Sequence, residues 1–378
     1  MNLHFRARQP IFLVSRFRRV WPARIVSVAS FGLILACADC GVYAQSDAPQ
    51  GRMITSLAVA INPSTHKVYA VDEAAGAVSV TDERTGTTQM VKVGNGPISI
   101  AINSITDRIY VANTGSGSIS VIDGERDAVI ATVKGESHPY VLAVNEATNK
   151  VYVTNTYGNA VTVIDGATNA AQALKVGDAD GIAVDPRNNT IFLMSYEDPN
   201  LRVVNGATGA ITKVAVGAHL WGIALDQSSN TLYLAHMVTG DVVAVDEKTH
   251  QVKTIPTGSI SCAVAINPVT QMVYAVNYGD ETVSVIDARQ WKVVATLPVG
   301  KHPQAVAVDS VHNRVYVANV HSRSVTVIDG ANYKGIGTYE AGTNPYALAL
   351  DPLSGHVYAA DYGEPSVTAI DVSHITQN

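Results

Sequence analysis

The residues best suited to chemistry in this sequence are histidines and large polar aromatics at equivalent positions of an internal repeat. Three histidines occupy the same position of the repeat: His138, His219 and His302. Two residues further on, the repeat has Tyr140, Trp221, Gln304 and Tyr346 in four of its copies. His236 occupies a third position. Neutral imidazole binds metals and carries protons at about pH 6–7. Tyrosine and tryptophan combine a flat apolar face with a polar tip, so this set predicts a binding site for a small molecule or a peptide.

The repeat that carries these residues sets the architecture. A run of the type Val-Tyr-Val-Ala-Asn begins eight times, and successive copies are 40 to 42 residues apart. The copies begin at Val68, Ile109, Val151, Ile191, Leu232, Val273, Val315 and Val357. Repeats of about 40–45 residues, each with several short strands, are typical of β-propeller blades. We therefore predict an all-β protein, a β-propeller of eight blades with four antiparallel strands each, with seven blades as the alternative.

The sixth copy illustrates how one repeat forms one blade. Short apolar strands are predicted at 263–266, 273–276, 283–286 and 293–299, separated by turns rich in Asn, Asp, Gly and Pro. The eighth copy has no clear fourth strand before the chain ends. In a propeller, the loops from second to third strand and from fourth strand to the next blade surround the channel on one face. The candidate residues should lie on this rim. The fourth and fifth copies diverge most from the others, so a ligand is expected to bind in the sector of blades 3 to 5.

The run at 151–155, Val-Tyr-Val-Thr-Asn, resembles the signature of the YVTN-type propeller repeat. The flanking Asn-Pro-x-Thr turn and Val-x-Val-Ile-Asp strand resemble it too, and the similarity extends over about 325 of the 378 residues. This resemblance implies a β-propeller that is exported or surface-associated. The chain is also similar, more distantly, to the eight-bladed haem propellers of nitrite reductases. That second likeness implies haem in the channel.

The rim residues also have purely structural interpretations. The three equivalent histidines fall on blades 3, 5 and 7, whereas the ligands of one zinc ion must all lie about 2.0–2.1 Å from it. We therefore predict no metal site, and a histidine before the first strand fits an entry turn. The aromatics fit a plug in a narrowing channel. His236 replaces the Asn or Asp that caps a loop in the other copies.

Motifs of common enzyme classes do not occur in the sequence, which lacks a Gly-rich phosphate loop, Gly-x-Ser-x-Gly and His-Glu-x-x-His. The leading hypothesis is an exported, non-catalytic propeller that binds a protein or a small ligand through its rim, without a cofactor. One alternative is an enzyme of the lactonase or lyase type that uses His and Asn or Asp of the rim. The other is a propeller that holds haem or another cofactor in its channel, with a rim histidine as axial ligand.

The N-terminal segment predicts export. Residues 1–44 carry six arginines before an apolar stretch, and Val42 and Ala44 form a cleavage site of the small-x-Ala type, so they are predicted to be a signal peptide. A lipid anchor at Cys37 is the alternative. Residues 45–53 are a candidate ring-closing strand, and 54–378 form the propeller.

The remainder of the chain is acidic. Of 26 basic and 32 acidic residues, the six arginines and Asp39 lie in 1–44, which leaves 20 basic and 31 acidic residues and a net charge of −11. The negative charge of this part of the chain disfavours nucleic acid and anionic membranes as partners. The apolar stretch of the signal is shorter than the ~20 residues of a membrane span. We expect a monomer in the periplasm or outside the cell, without a transmembrane segment after signal removal.

Overall fold

A computed structural model describes residues 58–351, 354–362 and 367–372. The predicted signal peptide, the candidate closing segment at 45–53 and Cys37 lie outside the described residues. Within these ranges every regular element is a β-strand. Helices long and apolar enough to cross a membrane are absent from the described ranges.

The strands form eight antiparallel sheets, and in each sheet the strands lie side by side in chain order. Each sheet corresponds to one sequence repeat and is one blade. Blades 1 to 7 have four strands, and the described residues of blade 8 form three. The prediction of an eight-bladed β-propeller is confirmed, and the seven-bladed alternative is wrong.

The strand bounds follow the repeat closely. Blade 1 has β1 (Val59–Asn62), β2 (Lys67–Asp72), β3 (Ala77–Asp82) and β4 (Thr87–Lys92), and blade 2 has β5 (Pro97–Asn103), β6 (Arg108–Asn113), β7 (Ser118–Asp123) and β8 (Ala128–Lys134). Blade 3 has β9 (Pro139–Asn145), β10 (Lys150–Asn155), β11 (Val161–Asp165) and β12 (Ala171–Leu174), and blade 4 has β13 (Gly181–Asp185), β14 (Thr190–Met194), β15 (Asn200–Asn205) and β16 (Ile211–Ala215).

The second half of the ring continues the pattern. Blade 5 has β17 (Leu220–Asp226), β18 (Thr231–His236), β19 (Asp241–Asp246) and β20 (Val252–Pro256), and blade 6 has β21 (Ser261–Asn267), β22 (Met272–Asn277), β23 (Thr282–Asp287) and β24 (Lys292–Pro298). Blade 7 has β25 (Pro303–Asp309), β26 (Arg314–Asn319), β27 (Ser324–Asp329) and β28 (Lys334–Glu340), and blade 8 has β29 (Pro345–Asp351), β30 (His356–Asp361) and β31 (Val367–Asp371).

The core lies between the blades. Second strands such as β6 and β22 are buried along nearly their whole length, because neighbouring blades cover both faces of the sheet. This explains why their sequences do not alternate between apolar and polar residues. Outer strands such as β24 alternate between exposed and half-buried residues. Six second-strand tyrosines are fully buried: Tyr69, Tyr110, Tyr152, Tyr233, Tyr274 and Tyr316.

The first strands line the central channel and close the ring. Each contacts the first strands of its two neighbours, and β1 contacts both β5 and β29. On the face where first strands end, side-chain hydrogen bonds join successive blades. The Nδ2 atoms of Asn62, Asn103, Asn145 and Asn267 donate to the Oδ1 atoms of Asp107, Asn149, Asn189 and Asn313 over 2.6, 2.9, 2.8 and 2.8 Å. Four of the eight interfaces between blades are thus joined by the same kind of side-chain contact.

A second set of amides acts on the opposite face, which we call the channel mouth. Asn277, at the end of β22, donates to Thr282 Oγ1 (3.0 Å) and Ser284 Oγ (2.9 Å). It also accepts hydrogen bonds from Ser261 Oγ (2.9 Å) and from the backbone N of Gly258 (3.2 Å). The amide therefore ties the second and third strands to the loop that enters the first strand. Asn113, Asn155 and Asn319 make related contacts in blades 2, 3 and 7.

Candidate binding site at the channel mouth

In six of the eight blades, a β-bulge in the first strand directs one side chain into the channel. In blade 5, Leu220 pairs with His236 and Gly222 pairs with Ala235, so Trp221 is an extra residue without a partner on β18. The same interruption occurs at Ile98, Cys262, Gln304 and Tyr346, and β9 has a related irregularity at Tyr140 and Val141. Bulges twist a strand locally and redirect its side chains. We call this repeat position the bulge column; in blade 4 it is Asp180, where the pairing of the strands is uninterrupted.

Six members of the bulge column meet around one cavity of about 230 Å³. They include the four predicted site residues Tyr140, Trp221, Gln304 and Tyr346, which come from four different blades. The other two are Asp180 and Cys262, which occupy the same repeat position in blades 4 and 6. Residues of blades 3 to 6, among them Met194 and Leu220, complete most of the wall. The cavity is therefore walled mainly by aromatic and aliphatic groups, with one carboxylate and one amide.

Asp180 supplies the charge of the cavity. Its Oδ2 atom accepts hydrogen bonds from the backbone N of Tyr196 (2.8 Å) and from Ser195 Oγ (3.3 Å). Burial, reinforced by the nearby Asp178 carboxylate, raises the pKa of Asp180. Burial and the Asp180 charge in turn raise the pKa of Tyr140, which keeps that phenol neutral.

A buried arginine holds the loop that carries Asp180. Arg202 Nη1 donates to the carbonyl oxygen of Val176 over 2.6 Å, and Nη2 donates to the carbonyl oxygen of Asp178. The side chain replaces the Ser or Thr that six of the other seven blades have at this point of the third strand. In the same blade, Ser195 replaces the capping Asn. The divergence of the fourth copy thus produces the one acidic side of the cavity.

The predicted rim histidines do not line this cavity. His138, His219 and His302 all have left-handed backbones, with φ of 57°, 67° and 51°. Gly96 and Ile260 occupy the same repeat position with φ of 59° and 54°. Each of these residues accepts a hydrogen bond at its carbonyl oxygen from the start of the loop between second and third strands. The position is an entry turn, as the structural interpretation of these histidines predicted, and histidine tolerates left-handed φ better than branched residues do.

The histidine side chains are engaged at separate places on the rim. His138 is exposed. His219 packs edge-on against Tyr196, with ring centroids 4.8 Å apart. His302 stacks on Tyr278 with centroids 4.6 Å apart and contacts His321. The rim histidines therefore lie at separate places, as their spacing on alternate blades indicates, and their part in ligand binding stays a prediction.

His236 is buried at the end of β18. Its Nδ1 atom contacts Thr239 Oγ1 and lies 3.8 Å from Asp241 Oδ1. Its Nε2 atom has no hydrogen-bond partner among the described residues and faces Gly217. His236 therefore caps its own loop as the asparagines do in other blades, and it is absent from the cavity wall described above.

Sequence reasoning missed five residues of the site. Asp180 and Cys262 share the bulge column with the predicted residues, and that shared position was the available signal. Tyrosines that follow the second strand were also missed, although they brace the rim. Tyr196 packs edge-on against Trp221 at 6.2 Å and Tyr362 against Tyr346 at 5.9 Å, while Tyr278 stacks on His302. The contacts of Tyr196 and Tyr362 hold two aromatic walls of the cavity in place, and that of Tyr278 holds a rim histidine.

Comparisons with known proteins agree with the fold. No protein-family model matches the sequence. No curated protein sequence matches it either. Among solved structures, hydrazine synthase of Kuenenia stuttgartiensis is similar with a TM-score of 0.59 and 18% identity, over 87% of this chain and 99% of that chain. Sqt1 of Saccharomyces cerevisiae is similar with a TM-score of 0.73 and 11% identity, over 84% of this chain and 96% of that chain.

At these identities the likenesses concern the fold and not the function. The chain is a β-propeller protein whose channel mouth holds an aromatic-walled cavity with one carboxylate.

Proposed function

We propose that this protein is an exported, non-catalytic β-propeller that binds a ligand in the cavity at its channel mouth. The observation that carries the proposal is the convergence of the bulge column from six blades on one space of about 230 Å³. Export rests on the sequence of residues 1–44, and kinship with YVTN-type propellers rests on the repeat itself.

The cavity wall favours a small ligand with a positively charged amine. Ligand pockets commonly have volumes of about 300–1,000 Å³, so this cavity suits a ligand smaller than most drugs. Trp221, Tyr140 and Tyr346 offer ring faces that attract cations, and Asp180 offers a carboxylate to pair with one. Gln304 adds an amide that can donate or accept. A basic side chain of a protein partner would present the same positively charged group to the cavity.

The arrangement gives less support to the catalytic and haem alternatives. Acid–base catalysis needs a nucleophile or base within hydrogen-bond reach of the reacting atoms. The described lining of the cavity contains no histidine, and the four rim histidines face different neighbours. An axial haem ligand would need an imidazole directed into the channel, and the same lining offers none.

Intrinsic fluorescence can test the proposal. Trp291 is the one other tryptophan beyond the predicted signal, and it packs beneath Lys253, so Trp291→Phe leaves Trp221 as the reporter of the cavity. Titration with 2-phenylethylamine should change this fluorescence saturably, whereas phenylacetate, with the opposite charge, should not. Asp180→Asn should weaken amine binding about 10- to 100-fold, since a hydrogen bond to a charged group contributes ~1.5–3 kcal/mol.

The matched control is His138→Ala, which changes the rim outside the cavity and should leave the titration unaltered. Equal responses to amine and carboxylate would contradict the proposed ligand class. Saturable amine binding, measured by calorimetry, that survives Trp221→Ala together with Asp180→Asn would place the binding site elsewhere.

A further inference from the structure

The interface between blades 8 and 1, which we call the seam, holds a cluster of ionisable groups on the face opposite the channel mouth. His66 lies in the turn between β1 and β2, Glu83 follows β3, and Asp351 ends β29. His66 Nδ1 lies 3.6 Å from Glu83 Oε2 and 3.5 Å from Asp351 Oδ2. One ligand atom from each of the three residues lies within 4.8 Å of the other two. His356 Nδ1 is 4.0 Å from Glu83 Oε1 on the other side.

The repeat shows that this cluster is specific to the seam. The position of Glu83 is glycine in blades 2, 3, 4 and 7, and a side chain there would collide with the turn residue of the same blade, as at Gly124 against Asp107. Glutamate thus places a carboxylate beside the turn residue, at a position where four other blades have no side chain. The position of His66 is Asp, Asn, Gln or Gly in the other blades.

Blade 5 provides an internal comparison. Glu247 occupies the position of Glu83, and Asp185, at the end of the first strand of blade 4, occupies the position of Asp351. There an arginine neutralises the two carboxylates: Arg187 Nε donates to Asp185 over 2.9 Å, and Nη2 lies 3.4 Å from Glu247. The residue two positions after Asp351 is Leu353, so the seam sequence lacks this cation.

Glu83 retains a buried acceptor. Its side chain is 5% exposed, and Oε1 accepts a hydrogen bond of 2.6 Å from Tyr358 Oη. Oε2 has no hydrogen-bond partner among the described residues and faces His66. A buried carboxylate oxygen of this kind calls for a cation.

The two distances from His66 are close to those between ligand atoms of a transition metal. Zinc bonds of about 2.0–2.1 Å in a tetrahedron place ligand atoms ~3.3 Å apart, close to the 3.5 and 3.6 Å at His66. An imidazole among the ligands favours zinc and similar metals over calcium or magnesium, which prefer all-oxygen sites. His66 is 35% exposed, which leaves an entry path for the ion.

We propose that the seam is a binding site for a divalent transition metal of the zinc class, held by His66 Nδ1, Glu83 Oε2 and Asp351 Oδ2. The remaining coordination position is left for a water molecule, because His356 lies on the Oε1 side of Glu83. The ion joins the first blade to the last and stabilises the closed ring.

The test uses the untagged mature chain after treatment with EDTA and removal of the chelator. Zn²⁺ should bind with a stoichiometry of one in calorimetry and raise the thermal midpoint, because binding to the folded state alone stabilises it. Co²⁺ should give the visible absorption of a four-coordinate site with nitrogen and oxygen ligands. Glu83→Gln should weaken zinc binding at least as much as the ~10–100-fold that loss of an outer-shell partner costs.

Glu247→Gln is the matched control, because it makes the same change beside Arg187 and should leave zinc affinity unchanged. If Glu83→Gln does not fold, His66→Asn replaces it, since asparagine occupies that turn in blades 3, 4, 5 and 7. Absence of zinc binding to the unaltered chain, or equal affinity in Glu83→Gln or His66→Asn, overturns the proposal. Either result leaves the amine site at the channel mouth untouched, because the two sites lie on opposite faces.

Discussion

Replacement of Asn277 by alanine tests whether the capping amides hold the walls of the cavity. The side chain is fully buried and makes the four hydrogen bonds described above. Ser261 keeps a second partner in Thr257, so the alanine variant strands chiefly the backbone N of Gly258 and the hydroxyl of Ser284. A buried polar group left without its partner costs about 1–3 kcal/mol, and two such groups give an expected loss of about 3 kcal/mol.

Urea denaturation followed by tryptophan fluorescence measures this loss through the shift of the midpoint. The control is Asn332→Ala, which removes an exposed asparagine with one hydrogen bond, to Asp329, and should cost less than about 0.5 kcal/mol. Because Gly258 lies just before Cys262 in the cavity wall, Asn277→Ala should also weaken amine binding. A loss for Asn277→Ala no larger than that for Asn332→Ala would refute the reasoning.

Three further predictions concern the divergent blades 4 and 5. Burial raises the pKa of Asp180 in the folded protein, so ionisation of this carboxyl lowers the stability progressively as the pH rises above the ordinary aspartate value of 3.8. Asp180→Asn should therefore be more stable than the unaltered chain at pH 7. Urea midpoints should show that this advantage shrinks as the pH falls. The Arg202 charge lowers the pKa of Asp180, so Arg202→Met should move the pH midpoint of Trp221 fluorescence upward; an unchanged midpoint contradicts the assigned role. His236→Asn with Val243→Ser rebuilds the capping pair of other blades, and a double-mutant cycle should give a favourable coupling of about 1 kcal/mol, whereas additive effects would argue against it.

Much of the architecture was predictable because the repeat is regular. The 40- to 42-residue spacing indicated eight blades, and the predicted strands of blade 6 lie within one or two residues of β21 to β24. The grouping of Tyr140, Trp221, Gln304 and Tyr346 was also predictable, since equivalent positions of a closed ring face the same axis. That inference needed only the alignment of the copies.

Which of those repeat positions face the cavity was not predictable from the sequence. His138 and its equivalents have the residue type for chemistry, but they occupy an entry turn with a left-handed backbone and do not line the cavity. The sequence alone does not reveal that a histidine has a positive φ. The bulge that turns Trp221 inward depends on register across two strands, which is a property of pairing and not of local composition. The cluster of His66, Glu83 and Asp351 had no sequence signal, because ring closure alone brings these residues together.

The seam also bears on how the chain folds. Blades 1 and 2 are joined by Asn62 and Asp107, which are 45 residues apart, whereas the contact of Glu83 with Tyr358 spans 275 residues. For a flexible chain, the entropy of loop closure grows as (3/2)RT ln n, so bringing the seam together costs about 1.6 kcal/mol more than bringing two consecutive blades together. Contacts of such long range form late and slow the search for the native state. The seam is accordingly where the ring is expected to close last during folding and to part first under stress.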